Sequence, residues 1–345
     1  MIKPDQELND IIRRFTRDAV EGCRLIETGK DENDFRLVVI VYLSSGEKLV
    51  VKLADNDFTD SGRIAVWQRT VREYRRLGYY LPEIYTDLDG SFPKADCRGR
   101  SCIIYAEEYS KYSPAEDRFS GEEKQSVSDW DYMRDAWIMT ARIASQHFDY
   151  CDFPSAYCMF ETFCPSDKTD EVMESALEWK KAADRLPAQF AEKTARLWEM
   201  WLDNRRKLEK IYHLLPRSVF QGDLNDSNIL LDEKGRFAGV CDMNLCGREV
   251  VLKYVLGENN GAEPERIFRV LDTFSEYYDF SEEEKEAAIL IYRCITPFWW
   301  APGKELSEAQ DDAEKASALL DCAERILTED IGLRGHMIKR TEGKA

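Results

Sequence analysis

Residues 219–249 read VFQGDLNDSNILLDEKGRFAGVCDMNLCGRE, and the organisation of the chain follows from them. Gly222-Asp223 places a carboxylate in a tight turn, and Asn228 follows five residues later. The apolar run Ile229-Leu230-Leu231 leads into the polar turn Asp232-Glu233-Lys234-Gly235, and a second run, Phe237 to Val240, leads to Asp242. Two short apolar runs around a Gly-bearing four-residue turn predict a β-hairpin. With Leu231 paired near Arg236, the return strand passes Asn228 and Asp242 lies just beyond it. An amide oxygen and a carboxylate then converge, with Asp223 a loop away. Such donors suit Mg²⁺, which takes oxygen ligands, and leave a separate carboxylate to orient a hydroxyl.

A chain of 345 residues suits two domains or one large bilobal one, and 43% hydrophobic residues suffice to pack it. No apolar run approaches the roughly 18 residues of a membrane-spanning helix. The start, MIKPDQELND, is polar and acidic and lacks the apolar stretch of a signal peptide. Ten cysteines form no ladder and no CxxC pair. Cys151, Cys158 and Cys164 stand closest, but their spacing matches no familiar zinc site and His147 is a single neighbour. Reduced, mostly buried thiols are expected, which points to the cytoplasm. The net charge of −18 argues against nucleic acid as a partner. It favours a cationic small molecule by steering rather than by specificity, or else it is spread over solvated helix faces. Neither a membrane partner nor an oligomeric state is indicated.

Leu8, Ile11, Ile12 and Phe15 predict an amphipathic helix over residues 5–20. Phe35 to Leu43 and Lys48 to Leu53 read as strands joined by Ser44-Ser45-Gly46-Glu47. On the second strand Lys48, Val50 and Lys52 share one face, and a lysine turned inward there needs an anionic partner. A helix is predicted over Arg63 to Leu77, with Ile64, Trp67, Val71, Tyr74 and Leu77 on one stripe and Glu73 on its shoulder. Glu73 either reaches back to the strand lysine or pairs with Arg69 or Arg76. Leu81 to Tyr85 leads into another strand, and Ser101 to Tyr109 (SCIIYAEEY) runs strand-like into an acidic stretch through Gly121. Helices are expected over 130–147, 170–185, 188–214, 263–278, 281–295 and 307–328, with Ser281 and Glu284 forming a capping box. A polar, frayed tail is expected over 332–345. The plan is an α+β N-terminal part, a linker, and a mainly helical C-terminal part carrying one hairpin.

Lys52, Glu73, Glu107-Glu108-Tyr109, Gly222-Asp223, Asn228 and Asp242, in that order, resemble the aminoglycoside phosphotransferase-like kinases. These are relatives of protein kinases that include choline kinases. The family carries a His-Gly-Asp-x-x-x-x-Asn loop followed by a metal-binding Asp; here the loop is Gln221 to Asn228 and the later acid is Asp242. The resemblance implies an α+β, bilobal protein kinase-like fold. Residues 1–109 would form a small β-rich nucleotide-binding lobe ending in a hinge, and 110–345 a larger helical lobe with the catalytic loop and a substrate-binding insert near 155–214. It implies transfer of the γ-phosphoryl of ATP, or of GTP, to a hydroxyl of a small molecule. Asp223 would orient the hydroxyl or take its proton, and Asn228 and Asp242 would hold Mg²⁺. Lys52 would contact the phosphates, fixed by Glu73. Val50 would pack on the base, and the main chain at Glu107, Glu108 and Tyr109 would read its edge. An aminoglycoside, an amino alcohol or an amino sugar suits the acidic chain; a protein Ser/Thr kinase and an inactive nucleotide-binding regulator are the alternatives. Three features depart from the family: Gln221 replaces the loop histidine, Glu27 to Phe35 (ETGKDENDF) carries only Gly29 where a phosphate-covering loop is expected, and Met243 follows the metal Asp.

Overall fold

The computed structural model describes residues 1–29, 33–118 and 130–342. By packing, the chain divides into two compact units, the first comprising Met1–Tyr132, Cys164–Ser166 and Leu224–Asn244, and the second the remainder.

In the first unit, helix α1 (Gln6–Ile12) precedes strands β1 (Val20–Glu27), β2 (Phe35–Leu43) and β3 (Lys48–Asp55), and helix α2 (Ser61–Arg76) follows them. Strands β4 (Ile84–Tyr85), β5 (Lys94–Cys97) and β6 (Arg100–Glu108) complete an antiparallel sheet of order β1-β2-β3-β6-β4, with β5 also pairing with β6. Alternation divides its faces. Leu37, Val39, Val41, Val51, Leu53, Ile104 and Ala106 bury one face with Leu8, Ile11 and Ile12 of α1. The register sets Lys52 opposite Tyr105 and Val50 opposite Glu107, so these four share the other face, where Trp67 of α2 meets Tyr105 edge-on at 6.2 Å between ring centres. Strand β7 (Ser113–Pro114) and the short helix α3 (Ala115–Arg118) come next.

A hairpin from much later in the chain joins this unit. Strands β9 (Ile229–Leu231) and β10 (Phe237–Val240) pair, Leu231 with Phe237 and Ile229 with Val240, and β9 also pairs with β7. Tyr80 donates to the Ala238 carbonyl at 3.1 Å and accepts from the Val240 N–H at 3.1 Å. A Cβ on Gly239 would lie 1.7 Å from the Tyr80 carbonyl oxygen, so only glycine fits there.

The second unit takes most of α4 (Trp130–Ala144), then α5 (Glu171–Ala183) and α6 (Ala191–Tyr212). A ribbon of β8 (Arg217–Phe220) and β11 (Gly247–Val250) follows, with α7 (Val251–Gly257), α8 (Pro264–Phe274), α9 (Glu282–Ile295), α10 (Trp300–Glu308), α11 (Ala313–Thr328) and α12 (Leu333–Glu342). One core packs Trp179, Leu197, Trp201, Phe298, Leu306 and Leu320, with Trp179 stacked on Phe298 at 3.8 Å. Glu249 is buried but satisfied: Lys253 lies 2.9 Å away, and Ser155 at 2.9 Å and Tyr212 at 3.2 Å donate to it.

Several expectations are corrected. The first helix ends at Ile12, and the chain then becomes β1; Gly22, at a register shift, and the charged residues Glu21 and Arg24 hide that strand's alternation. Strand β5, helix α7 and the β8–β11 ribbon were not read from the sequence; each is short and carries no period of its own. The segment 307–328 is two helices, α10 and α11, and 188–214 begins as a 3-10 turn at Ala188–Phe190. In the tail, Leu333–Glu342 form helix α12, anchored by Leu333 and Met337, which are buried, and residues 343–345 lie outside the described residues. In the Glu27 to Phe35 connection, residues 30–32 lie outside the described residues, as do 119–121 of the acidic stretch. All ten cysteines are free thiols, most of them buried.

Candidate active site

Two groups of residues, one in each unit, hold the side chains singled out by the sequence. In the first unit the hairpin register brings the Asn228 and Asp242 segments side by side. Ile229 pairs with Val240, and the Cys241 N–H donates to the Asn228 carbonyl at 2.9 Å, so Asn228, just before β9, and Asp242, just after β10, flank adjacent strand ends. The Asn225 side chain nucleates the preceding turn, accepting from the N–H groups of Ser227 at 3.0 Å and Asn228 at 3.1 Å. Asp242 adopts a left-handed conformation, φ 57°, which a short polar side chain tolerates better than most.

Lys52 joins this group from β3. Its Nζ lies 3.3 Å from Asp242 Oδ1 and 3.0 Å from Glu107 Oε2. Burial alone would lower the Lys52 pKa, but the carboxylates of Asp242 and Glu107 outweigh it and hold the ammonium well above the ordinary lysine value. Lys52 is therefore charged at neutral pH. Of the two pairings expected for Glu73, the one with Lys52 that the resemblance implies does not form, and the one with a neighbouring arginine does. Glu73 pairs instead with Arg76, one turn along α2, at 2.8 Å, because a helix-shoulder carboxylate meets the residue three places on before it reaches the sheet.

Glu107 was expected to contribute only its main chain; its side chain is the missing partner of Lys52. The signal lies in the strand register: with Val50 opposite Glu107, Lys52 and Glu107 are diagonal neighbours on one face. Glu108 points the other way and is held by Arg75 at 2.9 Å and the Tyr80 hydroxyl at 3.1 Å, which fixes the end of β6. Tyr109 is partly exposed, with Lys48 Nζ 4.4 Å from its ring centre. Val50 sits half-buried on the Lys52 face. In the connection before β2, a Cβ on Gly29 would lie 2.1 Å from the Asp34 carbonyl, so this glycine serves a close backbone approach.

In the second unit, β8 delivers Gln221, Gly222 and Asp223. Gly222 has φ 101°, and a Cβ there would lie 2.4 Å from the Leu245 carbonyl oxygen. The buried Gln221 side chain accepts from the Asp223 N–H at 2.7 Å and so ties the turn that carries Asp223.

Asp223 also lines a cavity of about 240 Å³. Glu171, at the start of α5, and Glu258, after α7, line it too, together with Tyr157, Trp299 and Trp300. Burial and the nearby charges of Asp223, Glu258 and Glu171 push the Tyr157 phenol up, so all three carboxylates act on the same ring. Lys253 lines the cavity as well, but its charge is matched by Glu249. Tyr157 and Glu171 fall in the segment expected to contact substrate; Glu258, Trp299 and Trp300 do not, and only the adjacent tryptophans offered a hint in the sequence.

Among the described residues, no group of three or more His, Cys, Asp and Glu side chains is arranged to hold a metal ion. Asn228 and Asp242 supply only two donors. That fits a cation completed by phosphate oxygens, the usual setting for Mg²⁺, rather than a site closed by protein alone. Among the described residues, no helix is long and apolar enough to cross a membrane.

An antiparallel sheet followed by a mostly helical part makes an α+β fold, and solved kinases share it. Three similar solved structures are small-molecule phosphotransferases by their descriptions. One is a microcompartment-associated aminopropanol kinase (14% identity, 93% of this chain and 94% of that one, TM-score 0.54). Another is an amicoumacin kinase in complex with AMP-PNP and Ca²⁺ (12% identity, 94% and 93%, TM-score 0.53). The third is an aminoglycoside phosphotransferase from Alicyclobacillus acidocaldarius (13% identity, 92% and 96%, TM-score 0.50). No protein-family model and no curated protein matches the chain.

Proposed function

We propose that this protein is a nucleotide- and Mg²⁺-dependent phosphotransferase that moves the γ-phosphoryl group of ATP or GTP to a hydroxyl of a small, amine-bearing molecule. The observation that carries this reading is the convergence, within one unit, of Lys52 on Asp242 beside the strand end that bears Asn228. A cation and two oxygen donors are the set that phosphoryl transfer needs, because its catalysis is mostly positioning and charge neutralisation. The similar fold of the aminopropanol and amicoumacin kinases supports the same class of reaction.

Lys52 would contact the nucleotide phosphates, and Asn228 and Asp242 would hold the metal, which neutralises charge on the phosphate oxygens. Asp223, set by Gly222 and Gln221, would orient the acceptor hydroxyl and take its proton. The cavity beside Asp223 indicates the acceptor's character. Glu171 and Glu258 with Trp299 and Trp300 suit an ammonium group. A volume of about 240 Å³ lies below the roughly 300–1,000 Å³ of sites for drug-sized ligands, which favours a compact amino alcohol or amino sugar.

The test is nucleotide turnover with Mg²⁺ across amino alcohols, amino sugars, aminoglycosides and neutral sugars, with protein substrates as a control. Turnover dependent on an amine-bearing alcohol is expected. Nucleotide binding with no turnover on any acceptor would refute the catalytic reading, and phosphate appearing only on protein would transfer it to the protein kinases.

A further inference from the structure

We propose that Glu107, on the sheet, is the residue that positions Lys52 for the nucleotide phosphates, in place of a carboxylate on helix α2. The inference rests on the proposed nucleotide site and goes beyond it by assigning how the site's lysine is held.

A lysine side chain is long and flexible, so a phosphate contact needs a second group to fix it. The α2 helix does not provide one. Its acid, Glu73, is paired with Arg76 at 2.8 Å, and Trp67 of α2 meets the Lys52 face of the sheet at Tyr105. Glu107 reaches Lys52 at 3.0 Å from a strand hydrogen-bonded directly to β3. Its side chain is 11% exposed, whereas that of Asp242 is 39% exposed. The two carboxylates thus differ in kind. Asp242 is open to a cation, while the buried Glu107 charge depends on Lys52 for compensation. When Asp242 turns to a metal, Glu107 still holds the lysine. The arrangement also makes the direction of Lys52 independent of where α2 sits, since both partners belong to neighbouring strands of one sheet.

The experiment titrates ADP and AMP-PNP, with and without Mg²⁺, into the full chain by calorimetry, comparing the unaltered protein with Glu107→Gln and Glu73→Gln. Glu107→Gln is expected to weaken nucleotide binding about 10- to 100-fold, the scale of a lost charged hydrogen bond. It should also raise the Mg²⁺ concentration needed for half-maximal binding, because Lys52 is left with Asp242 alone and competes with the metal for it. Glu73→Gln should bind within about twofold of the unaltered chain, since Glu73 pairs with Arg76 and not with Lys52. Thermal melts check that each variant folds. A cycle with Lys52→Met separates positioning from general damage: once Lys52 is gone, Glu107→Gln should cost no further affinity. A larger loss in Glu73→Gln, an unaltered Kd in Glu107→Gln, or an undiminished Glu107→Gln effect without Lys52 would each overturn the assignment. An unaltered chain that binds nucleotide, loses it in Glu107→Gln and phosphorylates no acceptor would support the assignment while refuting the proposed reaction. A chain that binds no nucleotide would overturn both.

Discussion

Asp223 owes its place to two neighbours with different tasks. Gly222 supplies a backbone conformation that places its α-carbon against the Leu245 carbonyl, and Gln221 ties the loop by accepting from the Asp223 N–H. Asp223→Ala removes the carboxylate and leaves both devices intact. If Asp223 has the proposed role, the variant should abolish phosphoryl transfer while nucleotide affinity stays within about twofold, since only the group proposed to act on the acceptor is lost. Full turnover in that variant would remove Asp223 from the mechanism. Gly222→Ala acts differently, because its methyl would meet a backbone oxygen at 2.4 Å and strain a left-handed residue. A stability loss of at least about 1 kcal/mol is expected in urea titration, with activity falling as the Asp223 loop shifts. At this scale the sequence was most informative about groups whose roles are set locally. Gly222, Asp223, Asn228 and Asp242 sit within one loop and hairpin, so spacing alone gathered them. The partner of Lys52 was misread because α2 offered an acid of the right type, and only strand register could show that Glu107 lies nearer.

The elements carry their own tests. Helix α9 begins with a complete capping box, Ser281 accepting from the Glu284 N–H at 3.2 Å and Glu284 from the Ser281 N–H at 2.9 Å. Ser281→Ala should cost about 1 kcal/mol, read from denaturant midpoints. Burial raises the Glu284 pKa to about 7, opposed only in part by the bonds from Ser281 and Tyr278. A carboxyl raised on folding binds its proton more tightly in the native state. Its stabilising contribution is therefore complete below the unfolded pKa, near 4.5, and is lost as pH rises through about 7. Glu284→Gln keeps a capping-box residue but does not titrate. The difference in midpoint between the two proteins should move in favour of the glutamine form as pH rises from about 4.5 to 7; a pH-independent difference would contradict the linkage. Ser281 and Glu284 were legible because a capping box is local. Strand β1 was not, because its glycine and its charges break the alternation, and its partner strand decides its fate.

For the molecule as a whole, the excess of 66 acidic over 48 basic residues has a kinetic consequence. A cationic acceptor should be captured faster at low ionic strength, and kcat/KM for it should fall as the Debye length shrinks from about 30 Å to about 8 Å between 0.01 and 0.15 M salt. A neutral acceptor should show little change over the same range, and equal salt dependence for the two would assign the acidity to solubility alone. The α+β plan was readable in outline because the strands crowd into the first third of the chain and the helices follow. Its grouping was not, since no local pattern shows a hairpin from residues 224–244 packing among residues 1–132. Lys52 and Asp242 stand 190 residues apart in sequence. A ribosome releases the sheet long before it releases the hairpin that β7 and Tyr80 await. During that interval the nascent chain presents an unpaired β7 edge and a Tyr80 backbone with no strand to receive. The first compact unit thus stays unfinished until residue 244 has been made, although its sheet is complete by residue 108, and that early half is the stretch that a chaperone would need to shield.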